Sequence, residues 1–296
     1  MKTMIRALVP KRLRPVFRRS YSYLRHKLYF TKIFGRYASM IPPLELMHDG
    51  PVGFEEFKLN GEEFFRYYTE LFDLKPYERM LDVGCGIGRK TFLLTSYLNA
   101  DGSYEGLDIV KTGIDWCTEA ITRNHPRFKF QLIDVCNQHY NPAGRYKASE
   151  YRFPFVDESF DFVVLCSVFT HMLAEDMEHY LCEVARVLKT DGRCLISFFL
   201  LNEKSLALMR GRNSAIDLNI NLGCCWVANA GDPEAVTGYE EDFVLAVYDK
   251  CNLKIKEPIQ YGAWCGRETF LSYQDLILAS KAPGSTGIRD GASYRG

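Results

Sequence analysis

An α/β fold built on a doubly wound, mostly parallel sheet is the architecture this chain predicts. Three observations lead to it. From residue 80 onward, short apolar runs of strand character alternate with segments whose apolar residues recur at helical spacing, the order of βα units. The run at 160–167 is almost continuously apolar, as a strand buried on both faces should be. Two successive strand-like runs finish in acid and glycine, at 82–88 and at 106–108, which suits a ligand-binding edge at the carboxyl ends of parallel strands.

The elements follow in order. Residues 1–36 hold 11 Lys and Arg and no Asp or Glu, so the rest of the chain carries 26 basic against 37 acidic side chains, a net charge of −11. Within this basic arm Phe17, Tyr21, Leu24 and Leu28 fall on one face of a helix, with Arg18, Arg19, Arg25 and Lys27 between them. Breakers at 41–43 and 48–51 make a linker, so arm and linker occupy residues 1–53. Asn60 with Glu63 reads as a capping box and predicts a helix from residue 60 through Leu71. Strands are expected at 80–83, 104–108, 128–134, 160–167 and 193–200. The helices between them are expected at 89–98, along the Ile114, Cys117 and Ile121 face, and along the Leu173, Met177, Tyr180, Leu181, Val184 and Leu188 face. Asp191 and Gly192 turn the chain into the fifth strand.

Residues 202–238 read as irregular. A structureless stretch of that length inside a compact domain suggests a functional cover, here a substrate lid. A helix at 240–250 and strands at 253–261 and 272–279 close a domain that spans 54–281, and the Gly/Ser-rich tail 282–296 is expected to be mobile.

Composition narrows the function classes. Hydrophobic residues at 47% and aromatics at 14% exclude global disorder. The ten cysteines form no C-x-x-C pair, so no zinc or redox motif is predicted and no metal is expected. Scattered free cysteines suit a reducing cytosol. No run approaches the roughly 18 apolar residues of a membrane span, and the arm lacks an apolar signal core, so a cytoplasmic protein is expected.

The chemistry lies in Leu81-Asp82-Val83-Gly84-Cys85-Gly86-Ile87-Gly88. Glycines at 84, 86 and 88 let the backbone approach a ligand where strand turns into helix, and a helix N-terminus there offers N–H groups to an anion. Asp82 could orient a ligand ammonium, Asp108 a ribose diol, and Asp134 an exocyclic amine of adenine. A dinucleotide fingerprint wants G-x-G-x-x-G, but the third glycine position holds Arg89 and the run is G-x-G-x-G. No Gly-Lys-Ser/Thr follows, which excludes a phosphate-binding P-loop.

These residues resemble the class I S-adenosylmethionine-dependent methyltransferases, specifically the broad bacterial group called type 11. The likeness extends over residues 60–281 and also rests on Gly106-Leu107-Asp108, Ile133-Asp134-Val135, Phe153-Pro154-Phe155 with Ser159-Phe160-Asp161, and Val184-Ala185-Arg186-Val187-Leu188-Lys189 before Asp191-Gly192. It implies a seven-stranded, Rossmann-like sheet with an antiparallel last strand at 272–279. It also implies that S-adenosylmethionine has its methionine end at Gly84, Gly86 and Gly88, its ribose at Asp108, its adenine at Asp134, and Ile109 and Val135 flanking the ring. Ser167, at the end of the fourth strand, is grouped with these cofactor-binding residues.

Other positions admit two readings. His171, after the fourth strand, could take a proton from a substrate hydroxyl near neutral pH, or could pack at the next helix start; methyl transfer from a sulfonium often needs only alignment. Tyr261, Trp264, Cys265 and Arg267 suit a sugar or acidic substrate and equally an ordered hairpin. Cys224 and Cys225 read as packing, and Asp161 as structural. The arm reads as a cap on the acidic body or as a membrane-surface helix through residues 14–34, which would put the protein at the inner membrane face. Its aromatic stripe argues against nucleic acid. The expected activity is in-line O-methylation of a small-molecule, glycan or lipid-linked acceptor. The alternatives are an NAD(P)-dependent oxidoreductase and a non-catalytic cofactor-binding scaffold tethered by the arm.

Overall fold

The computed structural model describes residues 31–47, 50, 52–211 and 214–282. The arm helix expected around residues 17–28 and the tail 283–296 lie outside the described residues. Among the described residues, no helix is long and apolar enough to cross a membrane.

Seven strands form the main sheet. They are β1 (Arg79–Val83), β2 (Ser103–Asp108), β3 (Phe128–Leu132), β4 (Phe160–Leu165), β5 (Leu188–Phe198), β10 (Leu253–Ile255) and β11 (Asp275–Lys281), in the spatial order β10-β11-β5-β4-β1-β2-β3. β1 pairs in parallel with β2 and with β4, β2 with β3, and β4 with β5. β11 runs antiparallel to both β5 and β10. The strand order reverses between β1 and β4, and a crevice opens there at the carboxyl ends of the strands.

Strand alternation divides the core in two. Met80, Phe162, Val164 and Leu195 point into one apolar cluster, while their neighbours Leu81, Val163, Leu165 and Ile196 point into the other. Helix α1 (Phe54–Arg66) and the segment 92–98 cover the first face, joined by Cys117 at the end of α2 (Lys111–Cys117). Helix α3 (Ala174–Val187) and α5 (Glu241–Lys250) cover the other. Both faces are therefore buried, which is why the strands read as unbroken apolar runs.

Three local expectations are corrected. Helix α1 starts at Phe54, after Gly53, rather than at residue 60. Glu55 and Glu56 occupy its first turn, where acids suit the helix dipole, and Phe57, Gly61 and Phe64 form its buried face. Asn60 does pair with Glu63, but across the middle of the helix (Nδ2 to Oε2, 3.2 Å). The segment 89–98 makes only a short 3-10 turn at Phe92–Ser96. There Thr95 Oγ1 donates to Phe92 O at 2.6 Å, a local bond that competes with the helical ladder.

Residues 202–238 are not structureless. Helix α4 (Glu203–Arg210) starts at a capping box in which Asn202 and Ser205 each bond the other's backbone N–H. Strands β7 (Ile220–Asn221), β8 (Cys225–Val227) and β9 (Thr237–Glu240) join β6 (Leu200–Leu201) in a second sheet of order β6-β9-β8-β7. This sheet packs its own cluster of Phe199, Leu201, Leu218, Trp264 and Cys265.

Asp275, at the start of β11, pins the two sheets together. It is fully buried and accepts hydrogen bonds from Leu200 N (2.7 Å), Gly262 N (2.6 Å) and Trp264 Nε1 (2.7 Å). Burial pushes its carboxyl up to about 6 against those three donors. Replacing Asp275 by Ala strands three buried donors, and we expect urea unfolding to show a loss of about 3–5 kcal/mol.

Candidate functional site

A cavity of about 570 Å³ sits over the carboxyl ends of β1 and β2. Its floor is the turn after β1. Gly84 and Gly86 hold φ of +78° and +55°, a region that favours glycine. A Cβ on Gly84 would lie 2.3 Å from Val168 Cγ2, whereas a Cβ on Gly86 would stand in open space. Gly84 N and Cys85 N both donate to Leu107 O (2.7 and 3.1 Å), which fastens the turn to β2. Asp108 completes the fastening: Oδ2 accepts from Gly86 N at 2.7 Å and Oδ1 from Val110 N at 2.8 Å.

The walls contain Ile109, Ile133, Val135, Asn137, Ser167 and His171. Ser167 takes φ of +62°, strained for a serine. Its N–H donates to Ser197 Oγ (2.7 Å) and its hydroxyl to Gln274 Oε1 (3.0 Å). Of the residues singled out in the sequence, the structure brings Gly84, Gly86, Asp108, Ile109, Val135, Ser167 and His171 to this one cavity.

Asp82, Gly88 and Asp134 are not among its lining residues. Asp82 shares the strand face of Met80, so its carboxylate lies beneath the turn at 2% exposure. There it accepts from Tyr104 OH (2.7 Å), which also bonds Thr91 Oγ1 (2.8 Å). Burial pushes the Asp82 carboxyl up to about 6, opposed by the Tyr104 bond and the charge of Lys90. A Cβ on Gly88 would meet Ile121 Cδ1 at 3.0 Å, below the cavity. Asp134 alternates with the inward Ile133 and Val135 and is exposed, accepting from Arg145 N at 3.2 Å.

The wall opposite the glycine turn is supplied partly by the insertion. Its turn Pro233–Ala235 brings Glu234 to the cavity. Gln138 N donates to the Glu234 carboxylate, Gln138 Nε2 donates to Gly231 O (3.2 Å), and His139 Nδ1 meets Asp232 Oδ2 (2.8 Å). Burial pushes the Glu234 carboxyl up. His171 Nδ1 lies 3.2 Å from Glu234 O, and the ring of Tyr140 stands edge-on to the imidazole at 5.1 Å. From β9, Tyr239 OH sits between Phe169 O (2.8 Å) and Met172 O (2.6 Å), the residues on either side of Thr170 and His171.

Sequence reasoning missed several lining residues. Asn60 and Glu63 come from α1, and Lys90 from the turn after β1, where its Nζ donates to Cys166 O (3.3 Å) and lies over the Phe64 ring (4.7 Å). Tyr140, Glu234 and Gln274 are others. The mid-helix Asn60–Glu63 spacing was the one signal that could have pointed to any of them. In contrast, Tyr261, Trp264, Cys265 and Arg267 do not line the cavity: Trp264 and Cys265 are fully buried under the second sheet, and Arg267 lies over the Tyr261 ring (4.7 Å).

In comparisons with known proteins, residues 81–196 match the family described as a methyltransferase domain. The tRNA N(3)-cytidine methyltransferase METTL2 of Gallus gallus is 26% identical over 180 residues, 60% of this chain and 43% of that protein. The methyltransferase GfsG of Streptomyces halstedii is 23% identical over 199 residues, 67% of this chain and 60% of that protein. The chain thus spans less than two thirds of the length of both relatives. Among solved structures, the PH0226 protein from Pyrococcus horikoshii OT3 shares the fold, with a TM-score of 0.54 at 17% identity over 77% of this chain and 92% of that one.

The Asp82 carboxyl generates a pH prediction. Its folded value of about 6 exceeds the ordinary 3.8, so its contribution to stability is present below pH 3.8 and is lost as pH rises through 6. We expect the stability of wild type relative to Asp82→Asn, from urea unfolding, to fall by about 3 kcal/mol between pH 3 and pH 8.

Proposed function

We propose that the protein is a class I S-adenosylmethionine-dependent methyltransferase that transfers the methyl of that cofactor, in line, to a hydroxyl oxygen of a small-molecule, glycan or lipid-linked acceptor. The match of residues 81–196 to a methyltransferase domain and the order of the seven-stranded sheet support this reading. The observation that carries this reading is Asp108 on the cavity wall with the glycine turn hung from it. A carboxylate accepts hydrogen bonds only, and a ribose diol is a pair of donors of the matching kind. The open space above Gly86 suits the methionine end, and the apolar side chains of Ile109 and Val135 suit an adenine ring. Bound there, the cofactor's sulfonium supplies a methyl that an oxygen lone pair can displace.

The chain's own residues would do the rest. His171 Nδ1 stands 3.2 Å from Glu234 O, a carbonyl that can only accept, so this reading puts a proton on Nδ1 and gives the acid–base part to Nε2. That nitrogen is assigned the proton of the acceptor hydroxyl. The insertion turn at 231–234, latched to Gln138 and His139, excludes water from the reaction. The amphipathic pattern of residues 14–34 supports a lipid-linked acceptor at the inner membrane face. A tRNA acceptor, the substrate named for the chicken relative, is the second reading. The net −11 of the chain after residue 36 weighs against a phosphate backbone.

Calorimetric titration with S-adenosylmethionine, NAD and NADP tests the cofactor. We expect one-site binding of S-adenosylmethionine alone, weakened about 100-fold in Asp108→Ala. Binding of NAD, or of nothing, would overturn the reading. With an acceptor found among glycans, lipids or tRNA, His171→Gln should lower kcat by about 10²–10⁴ and leave cofactor affinity unchanged. An unchanged kcat would assign His171 to packing.

A further inference from the structure

Cys182 and Cys251 stand apart from the other cysteines. Their sulfurs are 2.6 Å apart, although 69 residues separate them in the chain. Cys182 is half-buried on α3, and Cys251 is the buried residue that follows α5. Both helices pack on the same face of the main sheet, so the two thiols are held in contact by the core itself. Beside them Lys250 pairs with Glu178. Neither cysteine lines the cavity.

We propose that Cys182 and Cys251 are a modification site that closes to an intramolecular disulfide when the protein meets a hydroperoxide. The two thiols have different parts. The hydrogen bond from Cys251, and then the charge of Lys250, hold the Cys182 thiol below its usual range. The same bond pushes Cys251 up. Burial pushes the thiols of Cys85, Cys117, Cys166, Cys194, Cys225 and Cys265 up as well, which keeps them protonated and unreactive.

Cys182, the more exposed of the two, is therefore the nucleophile. Its thiolate attacks the terminal OH of the hydroperoxide and the O–O bond breaks; hydroxide or alkoxide leaves and takes from solvent the proton that the thiol had released, as Cys182 becomes a sulfenic acid. The Cys251 sulfur then attacks the Cys182 sulfur. The S–O bond breaks, hydroxide leaves and takes the Cys251 proton as water, and the S–S bond forms. Two thiols have lost two electrons and the peroxide has gained them. A dithiol reductant reverses the last bond.

The test is peptide mapping of the full-length protein after graded hydrogen peroxide and alkylation, without reduction. We expect a linked peptide pair carrying Cys182 and Cys251, cleaved by dithiothreitol and appearing before any sulfinic acid at Cys182. The link should be absent from Cys182→Ser and from Cys251→Ser. The proposal is overturned if Cys182 reaches sulfinic acid while Cys251 stays alkylatable, if both stay alkylatable throughout, or if either pairs with a different cysteine. The wild-type map decides the matter even if a variant fails to fold.

Discussion

Two N–H groups converge on one carboxylate at the head of the sheet. Asp108 takes Gly86 N on one oxygen and Val110 N on the other, so the turns after β1 and after β2 are held as a single piece. Charge-assisted bonds of this kind are about twice as strong as neutral ones, and they settle a stretch of backbone that only glycine adopts readily. With Gly84 N and Cys85 N also committed to Leu107 O, the floor of the cavity is ordered before anything enters it. A ligand meeting such a surface loses less to the ordering of its partner.

Behind that floor the protein tolerates ionisable groups where a sheet is normally apolar. Asp82 and Asp275 are both buried, and in both cases desolvation outweighs the donors that surround them. The geometry suggests what is gained. Asp82, Tyr104 and Thr91 form a chain of bonds that joins β1, β2 and the turn after β1 at one depth. Asp275 joins β11, β6 and the loop through Gly262 and Trp264. Each network fixes a register that apolar packing alone would leave freer to slide.

Much of this was legible in the sequence, and the rest fails for identifiable reasons. Burial on both faces leaves unbroken apolar strings, so the strands and their order of appearance could be read directly. Glycine and acid at strand ends marked the right edge of the sheet. Alternation turns Val135 toward the cavity and Asp134 away, whereas Asp108 reaches it from the very end of β2 and Asp82, one residue short of the end of β1, lies beneath the glycines. The internal structure of the insertion escaped because strands of two to four residues, such as Ile220–Asn221, carry almost no periodicity. Lining residues such as Lys90, Glu234 and Gln274 escaped because long-range packing brings their elements to the cavity, and nothing in their local sequence announces it.

The insertion is better regarded as a cantilever than as a flap. It leaves the main sheet through β6, returns through β9, and plants Tyr239 between Phe169 O and Met172 O, on either side of His171. A protein that exchanged this insertion would also discard the prop beside its histidine. The wall at Glu234 and the setting of His171 are therefore a joint inheritance, and a change in one reaches the other.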